Sequence, residues 1–134
     1  MMGGSCLCGG VRYEIREPFS EVHHCHCSRC RKAHGAAFST FGRIGKSSLR
    51  FVSGEDKVRH FRSSPPVQRS FCGDCGSNLL FQFDPLPEVV WVAVGSMDDD
   101  PAPHPQAHIF VGSKAAWHTI TDALPQYQEY PPEG

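Results

Sequence analysis

Seven cysteines gathered into three tight groups limit what this chain can fold into. Cys6 and Cys8 form a Cys-x-Cys, Cys25, Cys27 and Cys30 a Cys-x-Cys-x-x-Cys, and Cys72 and Cys75 a Cys-x-x-Cys. Residues two or three apart can place two sulfurs on one small ion, each at about 2.3 Å. Disulfides between such near neighbours would close almost no loop, and an odd count leaves one thiol over in a monomer. Spacing therefore favours metal over a disulfide framework. A reducing cytosol favours it further.

The two pairs together supply four thiolates, a closed tetrahedral shell for zinc of the kind that holds a fold together. Cys8 and Cys72 are 64 residues apart, so joining the pairs would fasten the first strand to a loop in the second half. Gly9, Gly10, Gly73 and Gly76 flank these cysteines and permit the positive φ and close approach of a metal knuckle. On spacing alone, any two of the three groups could combine.

The middle run, His23-His24-Cys25-His26-Cys27-Ser28-Arg29-Cys30-Arg31-Lys32, offers three sulfurs to one ion and leaves a fourth position open. Three thiolates on zinc carry one negative charge fewer than four, which leaves the metal a better Lewis acid. An incoming thiol would have its pKa lowered there. Arg29, Arg31, Lys32 and His34 could hold anionic groups of the same substrate. Three other readings stand beside this one. His24 or His26 could complete the shell and make the site structural. Cys27-x-x-Cys30 has redox spacing. The run Arg29 to Lys32 could touch nucleic acid, although it lacks interleaved aromatics.

A chain of 134 residues is expected to form one domain, 1–134, with a real core. Its net charge of -1 gives no general pull toward nucleic acid or an anionic membrane. The start lacks a basic segment followed by an apolar run, and no stretch approaches about 18 consecutive apolar residues. The expectation is a soluble cytoplasmic protein with no membrane partner. Thirteen Gly and eleven Pro cut the chain into pieces too short for long helices. Strands are expected at Val11 to Arg16, Phe38 to Ile44, Leu49 to Val52, Val58 to Arg62, Val67 to Phe71, Asn78 to Phe83, Val89 to Val94 and Ala107 to Val111. Ser28 to His34 could make one helical turn. From about 126 to 134 the proline-rich end reads as an extended or loose tail. Trp91 and Trp117 read as core, Asp98 to Asp100 as a solvated turn, and His60, His104, His108 and His118 as isolated polar residues.

Several segments together resemble the glutathione-dependent formaldehyde-activating enzyme (GFA) family, which includes centromere protein V. They are Gly4-Ser5-Cys6-Leu7-Cys8-Gly9-Gly10-Val11, Cys25-His26-Cys27-Ser28-Arg29-Cys30-Arg31-Lys32, Phe71-Cys72-Gly73-Asp74-Cys75-Gly76, His108-Ile109-Phe110-Val111 through Trp117, and Asp122-Ala123-Leu124-Pro125-Gln126. The resemblance implies an all-β, β-tent fold of short antiparallel sheets held by zinc. It implies two zinc ions: a structural one on Cys6, Cys8, Cys72 and Cys75, and a catalytic one on Cys25, Cys27 and Cys30. Three ligands hold zinc less firmly than four, which leaves room for partial occupancy of the second site. The activity implied is a carbon–sulfur lyase of the S-(hydroxymethyl)glutathione synthase type, with a small thiol such as glutathione and formaldehyde as partners. The contrasting expectation is a non-catalytic, zinc-stabilised module that binds protein or nucleic acid.

Overall fold

The fold follows from short alternating strands whose inward residues meet in one core. A computed structural model describes residues 1–132. Strands β1 (Met2–Ser5), β2 (Arg12–Ile15) and β5 (Leu49–Ser53) form a small sheet in the order β1-β2-β5. The larger sheet uses β3 (Glu21–Cys25), β4 (Ser39–Gly45), β6 (Val58–Ser64), β7 (Val67–Cys72), β8 (Asn78–Phe83), β9 (Val89–Ala93) and β10 (Ala107–Ile109). Its order is β10-β3-β4-β9-β8-β7-β6. Every pairing is antiparallel except β10 on β3, which is parallel. Among the described residues the one α-helix is α1 (Ser28–His34), ended by Gly35 in the left-handed region. The chain is all-β in class, as expected.

Tyr13 and Ile15 turn inward from β2 while Arg12 stays exposed. They meet Val11, Phe19, Val22, Ile44, Leu79, Val90 and Val92 in the core. Each such side chain contributes about 1.5–3 kcal/mol when fully buried. Gly42 is glycine for a local reason: a Cβ there would lie 2.5 Å from the Phe19 ring. Cys6 and Cys72 belong to this core. A second cluster joins Cys25, Cys30 and Ile109 with Phe41, Phe110 and Tyr127.

Four departures from the sequence reading have physical causes. Strands β1 and β3 were not expected, because Met-Gly-Gly-Ser and Glu-Val-His-His-Cys carry little β preference. Partners impose them. The β1 edge is held by Asp99, whose carboxylate accepts the Gly3 N–H at 2.7 Å, and by Asp98, which accepts from Ser5 Oγ at 2.9 Å. The acidic turn is therefore a staple as well as a solvated loop. The end of the chain is extended but docked. Tyr127 N–H donates to His108 O, and Phe110 N–H donates to Glu129 O. Residues 133–134 of the expected tail lie outside the described residues. Trp117 is 73% exposed, so it is not core; Trp91 is half-buried, edge-on to Phe81 and under Arg43.

Candidate metal centres

Local turn chemistry builds the first site. The sequence Cys6-Leu7-Cys8-Gly9 closes a knuckle in which Gly9, at φ 75°, donates its N–H to Cys6 O. Cys72 to Gly76 repeats the device: Gly76, at φ 80°, donates to Cys72 O. Such φ values suit glycine alone among common residues. The sheets bring the two knuckles together, and the sulfurs of Cys6, Cys8, Cys72 and Cys75 all lie within 4.8 Å of one another. Cys6 to Cys8 is 3.5 Å and Cys8 to Cys72 is 3.9 Å. Those separations are far beyond a disulfide bond. They match the roughly 3.8 Å edge of a tetrahedron of sulfurs around zinc. Val11 N–H donates to Cys6 Sγ at 3.2 Å, and Ser77 lies beside Cys75 Sγ at 3.2 Å. The Ser77 hydroxyl and amide draw the Cys75 pKa down to about 5. Four soft donors, tetrahedral spacing and amides turned toward sulfur fit a zinc ion.

Strand β3 and helix α1 build the second site. Cys25 ends the strand, Cys27 caps the helix and Cys30 sits in its first turn. Cys30 N–H donates to Cys27 Sγ at 3.3 Å, so a sulfur does the work usually left to a serine or aspartate cap. The three sulfurs again converge within 4.8 Å. Among the described residues no imidazole joins them. His24 Nδ1 is 2.7 Å from Thr40 Oγ1, and His26 Nε2 is 2.8 Å from His108 Nδ1. The alternative in which His24 or His26 closes the shell is not the arrangement observed. Hydrogen bonds from Cys25 and Cys27 pull the Cys30 pKa well below the usual thiol range, against the cost of burial, and Arg69 adds to the pull. The same sulfur–sulfur bonds push Cys25 far up.

The second site is surrounded by apolar side chains and touched by one cation. Ile109, Phe41, Phe110 and Tyr127 pack against the sulfurs. Phe110 holds φ 55°, the one positive value for a non-glycine residue among those described. That conformation costs on the order of 1–3 kcal/mol and often marks a functional site. Arg69, from β7, approaches Cys30 Sγ at 3.7 Å through Nη2. A cleft of about 660 Å³ lies nearby, walled by Cys6, Leu7 and Ser77 from the knuckles and by His34, Ser39 and Thr40. None of the three sulfurs lines it; Ser39, the strand partner of Cys25, is the connection.

The basic run rides on α1. Arg29 and Lys32 are exposed, while Arg31 is half-buried. Arg31, Lys32 and His34 occupy the last turn, where cations suit the helix dipole. Three features escaped the sequence reading. His108 is not isolated: it is buried, bonded to His26 and paired with Asp122 at 2.9 Å. Only the tertiary fold joins those three. The aromatic wall likewise comes from distant segments: Phe41 on β4, Phe110 just after β10 and Tyr127 near the end of the chain. Arg69 did leave a signal, since it shares a strand face with Val67 and Phe71, an apolar stripe in which a cation needs an anionic partner.

With this geometry in hand, similarity to known proteins is informative. The profile of the family described as "Glutathione-dependent formaldehyde-activating enzyme" matches residues 1–113. A Halomonas elongata protein provisionally given that name is 30% identical over 128 residues, covering 90% of this chain and 81% of that protein. A similarly named Aspergillus flavus protein is 34% identical over 77 residues, and the match spans only 40% of it. An uncharacterized lyase of Schizosaccharomyces pombe is 34% identical over 82 residues, covering 60% of this chain and 56% of that one. A Rhodobacter sphaeroides protein of known crystal structure aligns with a TM-score of 0.63 at 27% identity, covering 75% of this chain and 92% of that one.

Proposed function

This chain belongs to the glutathione-dependent formaldehyde-activating enzyme family, and from that premise we propose that it is a zinc-dependent carbon–sulfur lyase. Its substrate is a small thiol or the thiol's aldehyde adduct, with S-(hydroxymethyl)glutathione the specific case. Residues 1–134 act as one zinc-binding domain in a cytoplasmic setting that keeps the thiols reduced. Cys6, Cys8, Cys72 and Cys75 hold a structural zinc; Cys25, Cys27 and Cys30 hold the catalytic one. The observation that carries the reading is the second trio: three convergent sulfurs, with no fourth protein donor among the described residues.

The reaction needs little from the protein beyond placement. In condensation the thiol sulfur bonds to the carbonyl carbon, the C=O π pair moves to oxygen, and the thiol proton ends there. Cleavage is the reverse. Zinc, when bound to three thiolates, supplies a Lewis-acid position at which an incoming thiol is deprotonated at neutral pH. Phe41, Ile109, Phe110 and Tyr127 exclude water around the sulfurs. The cleft has a volume suited to a small-molecule ligand. His34 lines that cleft, and Arg31 lies one turn before it on α1. Zinc analysis combined with turnover of S-(hydroxymethyl)glutathione tests the reading. Two ions per chain and activity that disappears in Cys27→Ala with the fold intact are expected. A Cys27→Ala protein as active as wild type would rule the reading out.

A further inference from the structure

Arg69 has an environment that a structural role explains only in part. The side chain is 7% exposed. Its Nε donates to Ser63 Oγ at 3.0 Å, and its guanidinium lies 5.2 Å over the Phe81 ring. Those contacts fix the plane of the group. They do not neutralise it. Among the described residues Arg69 forms no ion pair with any carboxylate. Burying an uncompensated guanidinium is strongly unfavourable. Nη1, also buried, has no hydrogen-bond partner at all. The acceptor it does reach is Cys30 Sγ, 3.7 Å from Nη2 and 39 residues away in sequence.

We propose that Arg69 is the charge-compensating and positioning residue of the Cys25–Cys27–Cys30 site: it balances the net negative charge of the thiolate-bound metal and holds Cys30 in place. The proposal rests on the reading of that trio as a metal site. Three thiolates on a divalent ion leave one negative charge, and one buried guanidinium cancels it. Among the described residues the four-sulfur site has no buried guanidinium hydrogen-bonded to a sulfur; Lys57, which interacts with Cys8, is 43% exposed and paired with Asp74 at 3.4 Å. The four-sulfur site thus leaves its charge to backbone amides, a part-exposed lysine and solvent, while the three-sulfur site is given a fixed, buried cation. The fork geometry matters as much as the charge. Nε must stay on Ser63 while Nη2 reaches sulfur, and a lysine cannot do both.

The test uses the full chain loaded with zinc and compares wild type, Arg69→Met, Arg69→Lys and Arg43→Met. Arg43 stacks on Trp91 and touches neither sulfur cluster, so it is the control. The readouts are metal stoichiometry, zinc release to a chromogenic chelator, and the sulfur-to-metal charge-transfer band after cobalt(II) substitution. Arg69→Met is expected to keep its tight zinc, release the second about 10- to 100-fold more readily, and shift the cobalt band. Arg69→Lys should fall between, about threefold to tenfold weaker than wild type. If Arg69→Met fails to fold, Arg69→Lys carries the test. Folded variants that release both ions as wild type does overturn the proposal. A wild-type protein that binds a single ion overturns the trio as a metal site, and the role of Arg69 with it.

Discussion

The two sulfur clusters use the same chemistry in opposite ways. The four-sulfur cluster draws on two knuckles 64 residues apart and sits at the edge of the main core, with Cys6 and Cys72 inside it. The three-sulfur cluster draws on one short stretch, Cys25 to Cys30, and packs against its own small aromatic group. Cross-linking distant segments removes much unfolded-chain entropy, whereas linking near neighbours removes little. The distant cluster therefore suits a structural task. The local one suits the proposed catalytic task, in which the last coordination position goes to a substrate.

Breaking the distant cluster should have the largest effect. Structural zinc in small sites contributes about 10–16 kcal/mol of apparent binding energy at neutral pH. A domain of ordinary stability has only about 5–15 kcal/mol to lose. Cys72→Ser is expected to abolish the native fold, seen as collapse of near-UV circular dichroism and of dispersed amide resonances. A folded Cys72→Ser protein would erase the division of labour between the clusters. Cys27→Ala should instead leave a dispersed spectrum and one bound zinc while turnover falls to the uncatalysed background.

Acidification sharpens the same contrast. Metal-bound sulfur must be thiolate, so protons compete with the ion and affinity falls as pH falls. Each proton taken up costs about 1.4 kcal/mol per pH unit. The three-sulfur site, weaker at neutral pH, should empty at the higher pH, with a shallower dependence because fewer thiolates are protonated. The four-sulfur site should empty later and more steeply, together with unfolding. Zinc release and circular dichroism followed across one titration check the order. Simultaneous release of both ions with unfolding would contradict it.

What the sequence disclosed divides along the same line. Cysteine spacing and the glycines at positions 9 and 76 disclosed the knuckles, because a knuckle is local chemistry. The alternation of Val11, Tyr13 and Ile15 disclosed β2 for the same reason. Strand β3 stayed hidden because its His-His-Cys end reads as a ligand loop, and only pairing to β4 and β10 makes it a strand. His108 and Asp122 stayed hidden because their partners lie on other elements; Arg69 showed only as a cation in an apolar stripe, with its sulfur partner on α1 unseen. Trp117 misled because a large aromatic favours burial, and here it stands in solvent.

The smallest effect separates two tasks of one residue. Cys27 Sγ accepts the Cys30 N–H as the cap of α1, and the same sulfur is proposed to bind the catalytic zinc. Serine at that position can accept the N–H but is a poor zinc ligand; alanine can do neither. Cys27→Ser and Cys27→Ala are therefore expected to be equally inactive. They should differ in stability by about 1 kcal/mol in urea unfolding, with serine the more stable. Equal stabilities would mean that the cap is idle. Residual turnover in Cys27→Ser but not Cys27→Ala would mean that the helix start, more than the sulfur, is what the reaction needs.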